Sequence, residues 1–218
     1  MASHTITPDT PAEVAVIGGG AAGTLAAVHL LRAGARGPVA IVERADRLGR
    51  GVAYSTTFPD HLLNVVAANL GGLSGEPGHF RDWLAERGEP ADAGAFLPRM
   101  VFGRYLTALL GQAADAHPGV LASIRAEAIG LAADGDRIRV ELADGSAFTA
   151  RHVILATGTP AAPDVPLESG RWPQGSARYL SDPWAVGALD ALPGGRDVLL
   201  VGTGLTTVDV ALRLVDAR

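Results

Sequence analysis

Three glycines at positions 18, 20 and 23 have the spacing Gly-x-Gly-x-x-Gly, which can form a phosphate-binding turn between a strand and a helix. In such a turn the first glycine permits a sharp bend out of a strand. The second lets the backbone approach a pyrophosphate, and the third lets the following helix pack on the strand. Glu43, at the end of the next apolar run, can accept hydrogen bonds from a ribose diol and would repel a 2′-phosphate. The pattern therefore predicts a site for FAD or NAD rather than a glycine turn of purely structural use.

A second glycine-terminated run, Val-Ile-Leu-Ala-Thr-Gly, spans residues 153–158. A strand that ends in this way lets the backbone pass close to a bound dinucleotide. Any buried strand ending at a glycine would give the same local pattern. Together with the first turn, it favours a cofactor site that includes Ala156, Thr157 and Gly158.

A third pattern places Gly202, Gly204 and Thr207 after the apolar run 197–201. It is typical of the opening turn of an NAD(P)-binding unit. Threonine at the third glycine position departs from the usual pattern and predicts a slightly wider spacing between helix and strand. We expect this unit to be incomplete within the 218 residues, and we expect the isolated chain not to oxidise NAD(P)H at a useful rate.

Hydrophobic periodicity predicts the elements that hold these turns. Strands are expected at 13–17, 38–43, 120–128, 129–132, 137–142, 153–156 and 197–201, and helices at 21–32, 79–87, 100–116 and 205–215. The fold class is α/β. It comprises a Rossmann-like FAD-binding domain of three layers with a β-meander, followed by the start of a second Rossmann-like NAD(P)-binding unit.

This order of elements predicts four segments along the chain. They are a disordered tail at 1–12, an FAD-binding domain at 13–160 with a helical insert at about 76–118, a connector at 161–195, and the start of an incomplete NAD(P)-binding domain at 196–218.

Composition excludes several classes of protein. The formal net charge of −5 argues against nucleic acid and anionic membranes as partners. The chain has no cysteine and no lysine, which excludes disulfide-reductase chemistry, a Walker A loop and Schiff-base catalysis. The six histidines show no metal-binding spacing, and three glycines interrupt the uncharged run 14–31, so we expect no metal, no membrane span and a cytoplasmic location.

The sequence resembles a known family in several blocks. The order of GGGAAG, Glu43, meander and LATG is similar to the two-dinucleotide flavoprotein fold of glutathione reductase type. The blocks at 49–54, 61–65, 98–106 and 202–209 resemble a bacterial FAD/NAD(P)-binding family that includes urate-hydroxylase-like flavoproteins. That family is distantly similar to the lysine and ornithine N-monooxygenases. The resemblance implies bound FAD, NAD(P)H as hydride donor, and oxygen-dependent hydroxylation of a small molecule.

By this resemblance, Arg50, Gly51 and Asn64 lie near the flavin or its linker, and Arg99 lies at a helix start within reach of a phosphate. The alternatives are an exposed loop arginine for Arg50, a turn-capping amide for Asn64 and a solvated helix face for Arg99. No catalytic residue and no metal ligand is assigned. The full set of predicted cofactor-binding residues is Gly18, Gly20, Ala21, Ala22, Gly23, Glu43, Arg44, Arg50, Gly51, Asn64, Arg99, Ala128, Ala156, Thr157, Gly158, Gly202 and Gly204.

The function predicted from these features is an FAD- and NAD(P)H-dependent oxidoreductase, of monooxygenase type, acting on a small-molecule substrate. The alternatives are a nucleotide-binding module or fragment without turnover, and a simple NAD-dependent dehydrogenase. A plain NAD domain needs neither the meander with its LATG end nor a second glycine turn, so these features disfavour the dehydrogenase. The sequence assigns neither the substrate nor the oligomeric state.

Overall fold

The computed structural model describes residues 11–160, 164, 170, 178–185, 187–192 and 195–216. Residue 216 is described by its backbone alone. The chain divides into two compact units, Met1–Gly158 and Thr159–Arg218, which are described separately. Within the described ranges, no helix combines the length and the apolar character needed to cross a membrane.

The first unit is built on one six-stranded sheet with the order β3-β2-β1-β6-β5-β4. Strands β3, β2, β1 and β6 run parallel, while β6, β5 and β4 form an antiparallel meander. This arrangement confirms the predicted Rossmann-like α/β class with a meander. The strands are β1 (Ala12–Ile17), β2 (Val39–Glu43), β3 (Leu121–Arg125), β4 (Ala128–Asp134), β5 (Arg137–Leu142) and β6 (Ala147–Leu155).

Four helices accompany the sheet in this unit. Helix α1 follows the first glycine turn and connects β1 to β2, the arrangement of a βαβ unit. Its bounds agree with the predicted helix at 21–32. The helices are α1 (Ala21–Arg32), α2 (Gly51–Tyr54), α3 (His79–Ala85) and α4 (Arg99–Ala116), with one 3₁₀ turn at Ala67–Asn69.

The central strands are buried on both faces, and alternate residues serve two different cores. Val14, Val16 and Ile41 pack into a core that also includes residues of α1, α3 and α4. Ala15 and Ile17 point to the other face, where they join residues of β5 and β6. A parallel strand covered on both faces needs a continuous apolar sequence, which explains the runs that predicted β1 and β2.

Three strand predictions differ from the structure. Strand β3 ends at Arg125 rather than at 128, and β4 starts at Ala128. The predicted strand 153–156 is the end of a longer strand, β6. The first part of β6, from Ala147 to Ala150, pairs with β5, and the part from Ala150 to Leu155 pairs with β1, so one strand belongs to both the meander and the parallel sheet. Periodicity alone did not reveal this continuity, because Arg151 and His152 interrupt the apolar pattern.

The predicted segment boundaries stay predictions. Residues 1–10 of the expected tail lie outside the described residues, while Ala12 is fully buried as the first residue of β1. Most of the expected connector at 161–195 also lies outside them.

In the second unit the expected helix is present as α5 (Leu205–Asp216), but the strand predicted at 197–201 is not. The described residues 195–204 include no β-ladder, and Leu199 is 87% exposed. A strand requires a hydrogen-bonding neighbour, and the described part of this unit offers none.

Candidate functional site

The first glycine turn brings two of the predicted motifs together. Gly18 has a φ of 104°, and a Cβ built on it would lie 2.3 Å from the carbonyl oxygen of Ala156. The Gly18 N–H donates to the carbonyl of Val42 at 2.8 Å, which ties the turn to β2. Only glycine satisfies both the backbone angle and the close approach. The backbone of Ala156 and Thr157 therefore crosses directly beside the turn, while its predicted contact with a dinucleotide stays a prediction.

The third glycine of this turn, Gly23, lies against the backbone of the first, Gly18. A Cβ on Gly23 would lie 1.8 Å from the carbonyl oxygen of Gly18. No rotation of a side chain could relieve that overlap, because both partners are backbone. Gly23 thus sets the close packing of α1 on β1.

The second glycine leaves the N-terminus of α1 open. Gly20 is the N-cap of α1 and has no side chain, and the first turn of the helix contains no acidic residue. The atom nearest to a Cβ on Gly20 would be the Cα of Gly51, at 3.5 Å. The first N–H groups of a helix have no intrahelical acceptor, so Ala21 and Ala22 stand where an anion is stabilised.

Glu43 lies at the end of β2 with both carboxylate oxygens engaged. Oε2 accepts a hydrogen bond from the Gly19 N–H at 2.7 Å, and Oε1 accepts one from the Ala45 N–H at 2.8 Å. The carboxylate therefore fixes the end of β2 to the first turn, a role the sequence did not indicate. Each oxygen still has a second lone pair with which to accept a bond from a ribose hydroxyl.

The segment after β2 folds back onto the first turn. The Gly49 N–H donates to the carbonyl of Gly19 at 2.8 Å. A Cβ on Gly49 would lie 2.8 Å from the backbone nitrogen of Thr107, so this glycine also lets the segment pass close to α4. Sequence analysis did not single out Gly19 or Gly49. The signal for Gly19 was its position inside the three-glycine run.

Arg50 and Gly51 come to lie beside this turn through the same segment. The Nε of Arg50 is buried and has no hydrogen-bond partner, while a Cβ on Gly103 of α4 would lie 3.4 Å from the Arg50 Cγ. A buried guanidinium nitrogen without an acceptor favours an anionic ligand. The orphaned Nε of Arg50 and the uncapped N-terminus of α1 are each groups that can bind an anion such as a pyrophosphate.

Arg99 is hydrogen-bonded to the segment that contains Asn64. The Nε of Arg99 donates to the carbonyl of Leu62 at 2.9 Å, and the backbone N–H of Arg99 donates to the carbonyl of His61 at 2.8 Å. Burial raises the pKa of Tyr54, and the positive charge of Arg99 partly offsets that rise. The structure thus gives Arg99 a role in holding the 61–64 segment. Asn64, in that segment, is exposed.

Arg44 and Ala128 are peripheral to the first turn. The side chain of Arg44 is 75% exposed and lies 3.6 Å from the carboxylate of Glu127. Ala126, which sequence analysis did not select, donates its N–H to the carbonyl of Glu43 at 3.1 Å. Ala126 therefore connects the segment before β4 to Glu43, and the cofactor contact predicted for Ala128 stays a prediction.

The second glycine turn is closed by a hydrogen bond from a threonine side chain. Gly202 has a φ of 117°, and its carbonyl accepts a hydrogen bond from Thr207 Oγ1 at 2.9 Å. A Cβ on Gly204 would meet no atom within 4 Å. Gly202 and Gly204 belong to the second unit, whereas the other predicted site residues belong to the first.

A family model described as FAD-NAD(P)-binding matches residues 15–160. The chain belongs to this FAD-NAD(P)-binding family. The match covers the first glycine turn, Glu43 and the strand that ends in Ala-Thr-Gly. FAD and NAD(P)H are the cofactors that membership of the family supports.

One curated relative and two solved structures are similar to this FAD-NAD(P)-binding chain. The tryptophan 2-monooxygenase of Pantoea agglomerans pv. gypsophilae is 43% identical over 68 residues, 31% of this chain and 12% of the relative. A structure of cyclohexanone monooxygenase is similar with a TM-score of 0.60 and 20% identity, over 98% of this chain and 36% of that chain. A flavin-containing monooxygenase from Stenotrophomonas maltophilia shares 23% identity with a TM-score of 0.47, over 67% of this chain and 38% of that chain.

These similarities differ in what they establish for the FAD-NAD(P)-binding chain. The cyclohexanone monooxygenase structure shows a shared fold. The chain spans 12% of the length of the curated relative and 36% of the cyclohexanone monooxygenase chain. Activity, substrate and partners are properties of those whole proteins, and this chain matches only a part of their length.

Proposed function

We propose that this chain forms the FAD site of an FAD- and NAD(P)H-dependent oxidoreductase of monooxygenase type that acts on a small molecule. The observation that carries the proposal is the convergence at the first glycine turn. There Gly19 is hydrogen-bonded both to the Glu43 carboxylate and to Gly49, so the uncapped N-terminus of α1, Glu43 and the segment that carries Arg50 are held together.

Each of these groups has a distinct binding role in the proposal. The N–H groups at the start of α1 and the guanidinium of Arg50 hold the two phosphates. Glu43 accepts hydrogen bonds from the adenosine ribose through the lone pairs that Gly19 and Ala45 leave open. Gly18 lets the Ala156–Thr157 backbone lie against the same ligand. When bound, FAD supplies the redox chemistry, while the protein supplies binding and orientation.

The monooxygenase type is supported by two kinds of similarity. The sequence blocks at 49–54, 61–65 and 202–209 resemble urate-hydroxylase-like flavoproteins and, more distantly, lysine and ornithine N-monooxygenases. The tryptophan 2-monooxygenase relative and the cyclohexanone monooxygenase structure carry monooxygenase names. Within this proposal, residues 13–160 form the FAD-binding domain and residues 196–218 begin the NAD(P)-binding domain.

The decisive experiment is identification of the nucleotide that the purified protein carries. We expect the absorption spectrum of oxidised flavin, and chromatography of the nucleotide released on denaturation should give FAD. Folded protein that releases NAD and no flavin would refute the proposed cofactor. FAD binding without NAD(P)H oxidation in the complete protein would instead favour the alternative, a nucleotide-binding module without turnover.

A further inference from the structure

The two glycine turns are closed by the same kind of bond. In each, a threonine hydroxyl donates to the carbonyl of a glycine five residues earlier. Thr24 Oγ1 lies 3.1 Å from the oxygen of Gly19, and Thr207 Oγ1 lies 2.9 Å from the oxygen of Gly202. We call this bond the threonine clasp of each turn.

The two clasps start from different positions of the Gly-x-Gly-x-x-Gly pattern, one residue apart. In the first turn the acceptor is Gly19, the residue after the first glycine, so the donor falls one position beyond Gly23. Gly23 remains glycine there because a Cβ would lie 1.8 Å from a backbone oxygen. In the second turn the acceptor is Gly202, the first glycine itself, so the donor occupies the third glycine position. The threonine that departs from the usual pattern is thus the residue that closes the turn.

Thr207 makes two bonds that span the second turn. Its hydroxyl donates to the carbonyl of Gly202 and its backbone N–H donates to the carbonyl of Gly204, at 2.9 and 3.0 Å. Glycine at a φ of 117° has great conformational freedom, and no strand in the described residues 195–204 restrains the turn from the other side. Because both glycine carbonyls are engaged by Thr207, the N–H groups of the turn are the groups left to receive an anion.

We propose that Thr207 is a positioning residue for the nicotinamide nucleotide, and that its hydroxyl holds the turn of Gly202 and Gly204 in the conformation that receives the pyrophosphate. This inference rests on the proposed function, because it assumes that the second turn binds NAD(P)H. It adds a specific role for a side chain where the usual pattern has none.

The test compares three variants of the FAD-loaded protein. Thr207→Val removes the hydroxyl at nearly constant shape, and Thr207→Ser retains it. Thr206→Val is the matched control, because Thr206 is the adjacent threonine and its side chain is exposed. The first measurement is amide hydrogen exchange at Thr207 and Val208 without nucleotide, because both of these N–H groups donate to the carbonyl of Gly204 in the turn. The second is the Kd for NADH and for NADPH from fluorescence titration, with the FAD content recorded for each variant.

For Thr207→Val we expect faster exchange in the turn and a Kd for the preferred nucleotide raised about threefold to tenfold, the size of one lost hydrogen bond. Thr207→Ser and Thr206→Val should match the wild type in both measurements, and FAD content should not change. Unchanged hydrogen exchange in Thr207→Val would show that the threonine clasp does not stabilise the turn. Faster exchange with unchanged nucleotide affinity would overturn the positioning role while leaving the proposed function intact. A wild-type protein that binds neither nucleotide would overturn the positioning role together with the NAD(P)H part of the proposed function.

Discussion

The Glu43 carboxylate accepts a hydrogen bond of 2.7 Å from the backbone N–H of Gly19. The acid predicted to recognise a ribose is thereby also a support of the turn predicted to bind the phosphates. Loss of this carboxylate should therefore weaken the binding of both the ribose and the phosphates of the same ligand.

We expect Glu43→Ala to weaken FAD binding about tenfold to a hundredfold, because charge-assisted hydrogen bonds are worth about 1.5–3 kcal/mol. Isothermal titration of FAD into the apo protein measures this change. Glu127→Ala is the control, since Glu127 is a nearby exposed acid that pairs only loosely, at 3.6 Å, with Arg44. Equal FAD affinity in the Glu43 variant and the wild type would place Glu43 outside the site.

The Gly23→Ala substitution should destabilise the first unit by about 1–3 kcal/mol or more, because its Cβ would overlap the Gly18 carbonyl oxygen. Urea unfolding measures the change in the free energy of unfolding. Gly111→Ala is the matched control. Gly111 lies within α4, and a Cβ there would meet no atom within 4 Å. That variant should be stabilised by about 0.5–1 kcal/mol. A tolerated Gly23→Ala would show that α1 is not held against β1 at this point.

Arg50→Met should lower FAD affinity about tenfold or more without lowering the stability of the apo protein. Methionine retains the apolar packing of the Arg50 stem near Gly103, and it removes a buried nitrogen that has no partner. Parallel FAD titration and urea unfolding separate the two effects. Arg47→Met, at an arginine that is 63% exposed, should change neither. Lower stability with unchanged FAD affinity would assign Arg50 a structural role.

Tyr54 should make stability fall at alkaline pH. Burial raises the pKa of Tyr54 above its ordinary value of 10.0. The folded protein therefore resists ionisation that the unfolded chain undergoes. The stabilisation is complete below pH 10.0, and it is lost as pH rises above that value through the raised pKa of the folded state.

Tyr54→Phe should remove part of this alkaline loss while leaving stability near neutral pH almost unchanged, as followed by urea unfolding at increasing pH. Tyr105→Phe is the contrasting variant. Its hydroxyl accepts the Gly72 N–H at 2.9 Å, so its loss should destabilise the protein at neutral pH as well. Identical pH profiles for wild type and Tyr54→Phe would contradict the prediction.

The sequence predicted what depends on local pattern. The first glycine turn, α1 and the burial of β1 follow from residue types at fixed spacing, and the structure has them at the expected positions. The sequence placed a glycine turn after β1 and a glycine at the end of 153–158, but it did not predict the approach of Gly18 to Ala156.

What the sequence did not predict depends on contacts between distant segments. The bond from Ala126 to Glu43, the approach of Gly49 to α4 and the continuity of β6 arise from chain paths that no local period encodes. The strand expected at 197–201 has the right composition, but strand formation requires a partner and not composition alone.

The pairing of Ala12 with Ala150 has a consequence for the order in which this protein is made. Strand β1 can pair with β2 as soon as residue 43 has been synthesised, whereas its other edge stays open until β6 has been added. Contacts so distant in sequence form slowly, because a long loop must be closed before they contribute any stability. During that interval the nascent chain exposes an apolar central strand edge, the kind of surface that chaperones protect. Expression at lower temperature or with additional chaperone should therefore raise the yield of folded protein.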